Sequence, residues 1–539
     1  MYVASEGEGK NLKDAPDRLG NLLQVSRKDG RVAGLTVLSV IYPSSWLARA
    51  CDPMLIGAEI VRSKGRAPTI DEILEEVENR IRPLFKQLTD VEVARTTPDE
   101  SWYWAAPILL DRLQDQSATD QWFAGDLPTL WGVKTDKSRS IQEDSDEENG
   151  SLTEDSDGDG DQSALSDLVD RARRTSSGDL MPGGSPPKDI LRTLALMAVA
   201  GPATVALRAF SRVAGPKAID SLSARDNAAK VGVSFRTLFN QPDSTAIVRA
   251  TATEAGRGGD YWMQCLEYSA CGCLQAVLDE YAHLLVEEAG VFGKDPEEVV
   301  SSIAEYVVAT VGLRRASVGA QDISVINGKV RSRSKNMRSR FAMRYGEERA
   351  DESGDKMRAD DVRRAFNSPF WPFVLATTSV GQEGLDFHLY CHAVIHWNLP
   401  PNPVDLEQRE GRVHRFKGHA VRKNVAKQHA RIWHSVKQGD DPWEATFEDA
   451  KKGRKNTDND LVPYWVYPVV DGSAIERHVP TYPLSRDVER FKALRESLAL
   501  YRMVFGQPRQ EELLSYLSRT VAPERIAELS DRLKISLAP

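Results

Sequence analysis

The sequence predicts an α/β lobe, built on a parallel sheet, embedded in a mainly α-helical chain. Two short runs, residues 373–378 and 393–397, are rich in apolar and β-branched residues and are bounded by Gly, Pro or Asn. This pattern is typical of buried parallel strands. Residues 405–415 are predicted to form a helix. Polar segments rich in Gly or Pro follow both strands, at the sheet edge where ligands of α/β proteins bind, so we expect the functional site there.

Two motifs flank the second predicted strand. The first, residues 378–386, reads TSVGQEGLD, and the second, residues 408–415, reads QREGRVHR. They resemble motifs V and VI of the second RecA-like domain of superfamily 2 helicases and translocases, and the strand and turn between them fit that family in type and length. The resemblance covers about residues 320–435. The wider sequence resembles large bacterial helicase-related proteins of phage-defence type.

Arg412 and Arg415 are the candidate catalytic residues. They lie three positions apart in the predicted helix, so their guanidinium groups would leave the same face and could converge on one anion. Guanidinium groups are planar and permanently charged, and they match phosphate oxygens and the charge that develops on a transferred phosphoryl group. The resemblance implies that these residues are the arginine fingers of an ATP site.

The other residues of the second motif have roles that the resemblance implies. Gln408 and Arg409 would link the nucleotide to the other lobe, and Gly411 would keep the helix surface open. Glu407 and Glu410 lie close by in the sequence, so an exposed helix with surface salt bridges is the alternative interpretation.

The first motif is interpreted in the same way. The resemblance implies that Thr378 and the backbone around Gly384 contact nucleic-acid phosphates, and that Asp386 lies near the ribose of the nucleotide. A buried strand followed by a structural turn would explain the glycines of this motif equally well.

The distribution of charge favours a nucleic-acid partner. The net charge is −9, but residues 143–161 contain ten acidic residues and no Lys or Arg, so the rest of the chain carries +1. Residues 329–344 contain seven basic residues and no acid, and residues 409–437 contain nine basic residues and one acid. Such tracts could follow a phosphate backbone, with Arg338 and Arg340 as candidate contacts, or could be solvated surfaces. We expect DNA rather than RNA.

The sequence contains no Gly-x-x-x-x-Gly-Lys-Ser/Thr loop to hold the β- and γ-phosphates of ATP. The Gly-Lys pairs at Gly9, Gly293 and Gly328 are followed by Asn, Asp and Val. We therefore expect ATP, with Mg²⁺, to be bound only together with a first RecA-like lobe on another polypeptide or an upstream segment. Asp279 and Glu280 are not predicted to be its magnesium motif, because their surroundings suit a helix. The alternative is a non-catalytic nucleic-acid-binding or scaffold subunit.

Five regions are predicted along the chain. They are a helical accessory region at 1–135, an acidic disordered linker at 136–188, a helical region at 189–315, the helicase C-terminal RecA-like domain at 316–475, and a C-terminal helical extension at 476–539.

No membrane segment and no metal site are predicted. The apolar segment 190–210 is interrupted by charged residues and a Gly-Pro pair, so it should form two packed helices. Five cysteines suit a reducing cytoplasm, where Cys271 and Cys273 are expected to be buried free thiols. His388, His392 and His396 are spaced by four, but we expect ordinary packing or hydrogen-bonding roles for them.

Overall fold

The computed structural model describes residues 35–89, 97–131, 158–256, 259–312, 316–326, 329–339, 359–376, 386–455, 460–504 and, with single-residue gaps, 516–528. The chain divides into two compact units. The first comprises residues 1–340, 349–356 and 433–445, and the second comprises residues 341–348, 357–432 and 446–539.

The first unit is mainly helical, as predicted, and also contains a β-hairpin. Its helices are α1 (Leu38–Ile41), α2 (Ser45–Ala50), α3 (Pro53–Lys64), α4 (Ile70–Thr89), α5 (Trp102–Gln114), α6 (Gln116–Phe123), α7 (Leu127–Leu130), α8 (Gly158–Ser177), α9 (Ile190–Ala200), α10 (Pro202–Ala214), α11 (Leu222–Phe239), α12 (Pro242–Glu254), α13 (Tyr261–Cys271), α14 (Leu274–Glu288) and α15 (Pro296–Val311). Strands β1 (Ala316–Ile326) and β2 (Lys329–Ser339) pair antiparallel, with Ala316 opposite Ser339.

Helices α9 and α10 form the centre of the first unit, and nearly all their residues are buried. Helix α9 packs against α4 and α13, and α10 packs against α11, α14 and α15. The two helices meet at Gly201, which confirms the prediction of two packed helices. No single helix of the described residues is long and apolar enough to cross a membrane, although α9 and α10 taken together, bent by 43°, satisfy that criterion.

Buried ion pairs connect helix α10 to its neighbours. The Arg212 guanidinium donates to Asp52 Oδ1 at 3.0 Å and lies 2.8 Å from Asp279 Oδ1. Burial raises the pKa of Asp279 to about 6. Because Asp279 lies inside helix α14 and pairs within the core, the prediction that its surroundings are helical is confirmed.

The predicted disordered linker is wrong over part of its length. Helix α8 occupies Gly158–Ser177, and its Leu168 and Ala172 are buried. The Arg173 side chain donates to the backbone carbonyl of Gly125 at 2.9 Å. Apolar residues at helical spacing in the second half of this segment allow it to pack, despite the acidic sequence before it. Residues 136–157 lie outside the described residues.

The two neighbouring cysteines also differ from their prediction. Cys271 ends α13 and Cys273 precedes α14 with a φ of +51°, so the helical stretch breaks between them. Both are exposed rather than buried. Residues at a break between two helices do not belong to the packed face of either helix, which accounts for the exposure of both cysteines.

The second unit contains a small parallel sheet. Its elements are α16 (Ala359–Phe366), β3 (Ala393–Ile395), α17 (Pro403–Gly411), α18 (His419–His429), most of α19 (Pro442–Lys452), β4 (Glu476–His478) and α20 (Asp487–Val504). Strands β3 and β4 pair parallel, with Val394 opposite Arg477. Phe366, Phe387 and Val413 form a buried cluster, against which Val394 packs.

The strand predicted at residues 373–378 is not formed in its described part, residues 373–376. Phe373 and Val374 are 75% and 79% exposed, so this apolar run is not a core strand. The strand that pairs with β3 is instead β4, whose polar sequence Glu-Arg-His has no hydrophobic pattern. Residues 460–465 form a turn, in which the Trp465 N–H donates to the Leu461 carbonyl at 2.7 Å.

Candidate functional site

Helix α17 carries most of the second motif. Its N-terminus is capped by the Asn402 side chain, which accepts the Asp405 N–H at 2.8 Å. The helix ends at Gly411, in keeping with the low helix propensity of glycine. The next residue, Arg412, caps the helix and has backbone dihedral angles in the right-handed helical region. Arg415 lies beyond the helix, so the prediction of one continuous helix through Arg415 is wrong.

The two arginines nevertheless meet at one anion, the carboxylate of Asp386. Arg415 Nε donates to Asp386 Oδ1 at 2.9 Å, and Arg412 Nη1 lies 3.8 Å from the same oxygen. The side chains are partly exposed, 41% for Asp386, 31% for Arg415 and 20% for Arg412. Solvent-exposed ion pairs of this kind are weak. The two guanidinium groups therefore converge on a carboxylate that belongs to the protein itself.

Backbone hydrogen bonds join the two motifs at this point. The Phe387 N–H donates to the Arg412 carbonyl at 2.8 Å. The Asn367 side-chain amide donates to the Asp386 carbonyl at 2.8 Å, so the peptide group between Asp386 and Phe387 is held through both its oxygen and its N–H. These bonds keep the end of the first motif beside the end of the second.

The segment after helix α17 is also held by hydrogen bonds. Arg415 Nη1 donates to the carbonyls of Gly411 and His414, and the Arg415 carbonyl accepts the Gly418 N–H at 3.0 Å. His414 Nε2 donates to the Trp465 carbonyl at 2.9 Å. The Arg415 backbone is therefore fixed even though no helix continues through it.

An aromatic cage anchors the chain two residues after Arg415. Lys417 Nζ lies 4.8 Å from the ring centre of Phe447, 5.5 Å from that of Phe416 and 5.9 Å from that of Tyr464. The Lys417 N–H also donates to the Tyr464 carbonyl at 2.7 Å. Cation–π attraction stabilises an ammonium group in such a position. The cage therefore restrains the segment that carries Arg415.

Glu410 links helix α17 to strand β4 and to His396, the residue that follows strand β3. Its Oε1 lies 3.1 Å from His396 Nε2 and also accepts from Arg477 Nε, while Oε2 accepts from Arg477 Nη2 at 2.5 Å. Burial by itself raises the pKa of Glu410, but the hydrogen bonds from Arg477 and His396 outweigh it and hold that pKa below its usual value. Glu410 is 2% exposed, so it is not part of an exposed salt-bridge surface.

Comparison with known families supports the helicase interpretation of this geometry. Residues 329–417 match the family model described as Helicase conserved C-terminal domain. This segment is therefore similar to helicase C-terminal domains. The match includes both motifs and therefore Asp386 and the two arginines, Arg412 and Arg415, that pair with it. No curated protein and no solved structure gives a match to this chain.

The remaining predicted residues of the second motif lie on helix α17, close to the arginines in the sequence. Gln408 is exposed, and Arg409 Nη1 donates to the Asn398 carbonyl at 2.9 Å. A Cβ atom on Gly411 would lie 3.6 Å from Arg415 Nη1, which is an ordinary contact distance. Steric exclusion therefore does not explain why glycine occupies position 411.

The predicted nucleic-acid contacts are less fully described. Thr378, Gly384 and Arg340 lie outside the described residues, and Arg338 belongs to strand β2, opposite Ser317. Helicase C-terminal domains generally bind nucleic acid. The assignment of these four residues to that binding stays a prediction.

Four of the five basic residues of β2 recur at alternate positions, namely Lys329, Arg331, Arg333 and Lys335, and the fifth, Arg338, belongs to the other set of alternate positions. Alternate residues of a strand belong to the same face. Only Asp322 of β1 adds an acidic residue to this hairpin, where it is opposite Arg333. The register therefore assigns the four basic positions to one face of the hairpin.

The second basic tract is partly structural, which corrects the prediction that the whole tract could follow a phosphate backbone. Arg422 is fully buried and donates to the carbonyls of Leu389 and, at 2.7 Å, Lys417. Lys427 Nζ donates to the Asp471 carbonyl at 2.7 Å. Lys417 itself lies buried in its aromatic cage. The two buried cations, Lys417 and Arg422, stabilise the fold and are not accessible to phosphates.

The histidines hydrogen-bond or pack. His396 bonds to Glu410, and His392 Nδ1 lies 3.2 Å from His419 Nδ1. Burial lowers the pKa of His388 to about 4 and that of His419 to about 3, so both are neutral near pH 7. Within the part of the chain that the structure describes, no group of His, Cys, Asp and Glu is arranged to hold a metal ion.

Proposed function

We propose that this chain supplies the second, RecA-like lobe of an ATP-dependent nucleic-acid helicase or translocase. The observation that carries the proposal is the convergence of Arg412 and Arg415 on one carboxylate oxygen inside a helicase C-terminal domain. Guanidinium groups that meet at a carboxylate oxygen can also meet at a phosphate oxygen, which has similar charge and hydrogen-bonding geometry.

The two arginines would act as arginine fingers. Charge spreads over the oxygens of the γ-phosphoryl group during its transfer, and fixed cations that face this charge lower the barrier. Gln408 and Arg409 lie on the same helix and would link the nucleotide to the first lobe. Asp386 would lie near the ribose. Mg²⁺ would be held by the first lobe.

The first lobe would come from another polypeptide or from an upstream segment. The proposal requires this because residues 1–539 contain no loop of the kind that cradles the β- and γ-phosphates. The two basic tracts support a nucleic-acid partner. We infer DNA, in keeping with the resemblance to phage-defence proteins, and a cytoplasmic location, in keeping with cysteine usage that forms no disulfide framework.

ATP hydrolysis tests the proposal. The chain would be assayed with DNA, alone and together with the product of the adjacent upstream reading frame. We expect hydrolysis only in the combination. Arg415→Ala should lower kcat by about 10³-fold or more, which is the effect of removing an arginine finger. Arg431→Ala changes an exposed arginine of the same basic tract and should leave kcat within about twofold of the unchanged chain.

The alternative is a non-catalytic nucleic-acid-binding or scaffold subunit, which the lack of a phosphate loop favours. In that case no combination would hydrolyse ATP. The double variant Arg412→Ala/Arg415→Ala would then bind DNA as the unchanged chain does and would still assemble with its partner. That outcome would overturn the proposal of arginine fingers.

A further inference from the structure

We propose that Asp386 competes with nucleotide phosphate for Arg412 and Arg415. In this proposal Asp386 is a positioning residue, which holds both guanidinium groups together until a phosphate group replaces its carboxylate. The inference rests on the proposed function and extends it, because it assigns the arginines a second, intramolecular partner in the nucleotide-free chain.

The geometry that supports this competition is the sharing of one oxygen atom. Arg415 Nε and Arg412 Nη1 lie 2.9 Å and 3.8 Å from the same atom, Asp386 Oδ1. Two cations that approach one oxygen are already oriented for one anionic oxygen of a ligand. The carboxylate therefore occupies the position that a phosphate oxygen would take.

Backbone hydrogen bonds keep Asp386 beside Arg412 while the ion-pair partners of the side chains change. The Phe387 N–H donates to the Arg412 carbonyl, and Asn367 holds the Asp386 carbonyl. These bonds involve main-chain atoms of Asp386 and Arg412 and do not depend on the ion pair. A phosphate could therefore displace the carboxylate by side-chain movement alone.

Exposure makes the exchange reversible. The Asp386 side chain is 41% exposed, so water can hydrate its carboxylate once the arginines leave. A polyphosphate offers several charged oxygens and should outcompete one carboxylate. Glu410 differs because it is 2% exposed and doubly bonded to Arg477, and loss of Arg477 would leave a buried, poorly compensated charge. The Asp386 pair can therefore exchange, whereas the Glu410 pair is structural.

Inorganic tripolyphosphate is the probe that separates this competition from recognition of the ribose, because it has neither ribose nor base. Its affinity for the full chain would be measured by titration calorimetry at low salt. Asp386→Asn should bind it about two- to fivefold more tightly, the effect expected from removing a competing exposed ion pair. A merely structural role for Asp386 would make the substitution weaken binding instead.

Two further variants provide the controls. Asp405→Asn removes one carboxylate from helix α17 and should leave the affinity almost unchanged, which accounts for the general effect of net charge. Arg412→Ala/Arg415→Ala should abolish binding both with Asp386 and with Asn at position 386. The melting temperature of each variant would confirm that it is folded.

The outcomes distinguish the two proposals. Unchanged or weaker binding by Asp386→Asn, with loss of binding in the double arginine variant, would overturn the competition and leave the phosphate-binding arginines intact. Binding by the double arginine variant equal to that of the unchanged chain would overturn both. No binding by any variant would overturn the competition but not the proposed function, in which a first lobe is needed to bind ATP. Binding gained only in Asp386→Asn would support the competition in its strongest form.

Discussion

Individual charged residues hold the candidate site in two different ways. Asp386 and its two arginines are partly exposed, so their attraction is weak and their partners can change. Glu410 lies one residue before Gly411 but is buried against Arg477 and His396. A buried, hydrogen-bonded charge is costly to disturb, so Glu410 fixes the end of the helix from which the arginines extend.

Glu410→Gln tests this role at the scale of one residue. The substitution removes the negative charge that Arg477 and His396 face. Because Arg477 is 28% exposed, we expect a loss of about 1 to 3 kcal/mol in the free energy of unfolding, less than for a fully buried pair. Urea denaturation would measure the change. Glu448→Gln breaks the exposed pair with Lys451 and should cost less than about 0.5 kcal/mol. Equal effects of the two substitutions would contradict the structural role of Glu410.

At the scale of elements, the end of a helix and a paired strand decide where the candidate residues lie. Helix α17 ends at Gly411, so it does not itself position Arg415. Arg415 is positioned instead by hydrogen bonds of the following segment and by the aromatic cage around Lys417. Strand β2 contributes a different feature, four basic residues at alternate positions. The strand period of two, rather than the number of charges, would give this element a basic face.

A face-exchange variant tests the hairpin. Exchanging Arg331 with Ser332 and Arg333 with Ser334 keeps the composition and the net charge but moves two basic residues to the other face. If the face binds DNA, affinity should fall, and the slope of log affinity against log salt should become shallower by about 1.8, the value for two lost phosphate contacts. Fluorescence anisotropy at several salt concentrations would measure both quantities.

The control for the hairpin is Arg331→Ser/Arg333→Ser, which removes the two charges without replacing them. We expect it to bind DNA as weakly as the face-exchange variant. If the face-exchange variant binds as tightly as the unchanged chain, the hairpin acts only through its net charge. Circular dichroism would confirm that both variants remain folded.

For the whole molecule, the balance of charge sets how strongly a polyanion is attracted. The net charge of −9 arises from the ten acidic residues at 143–161, without which the chain carries +1. Long-range repulsion from these residues should weaken the approach of DNA to the basic tracts. Salt screens such repulsion over a Debye length of about 10 Å at 0.1 M.

Replacing residues 143–157 by an uncharged Gly/Ser segment of equal length tests this effect. The replacement removes eight of the ten acidic residues and stops before helix α8 begins at Gly158. DNA affinity should rise about three- to tenfold at low salt and return to that of the unchanged chain at high salt. Anisotropy titrations at two salt concentrations would show it. An unchanged affinity at low salt would refute the proposed repulsion.

The residues of the candidate site are easier to predict from the sequence than the residues that surround them. Arg412, Arg415 and Asp386 were predicted from their motifs, and the structure brings these three together. The burial of Glu410 could not be predicted, since its partner Arg477 lies 67 residues away on a polar strand without a hydrophobic pattern. The prediction of a strand at residues 373–378 is wrong in its described part for a related reason. An apolar run becomes a strand only where another strand is placed to pair with it.

The sequence by itself determined the similarity of residues 329–417 to helicase C-terminal domains, the mainly helical character of the chain and the break between helices α9 and α10. These features depend on local spacing, on Gly and Pro, and on motifs that are continuous in the chain. Only the tertiary structure decided that Asp386 is the anion shared by the two arginines, and that Lys417 and Arg422 are buried. The physical reason is that a charged side chain acquires its partner and its exposure from residues distant in sequence, which no local pattern specifies.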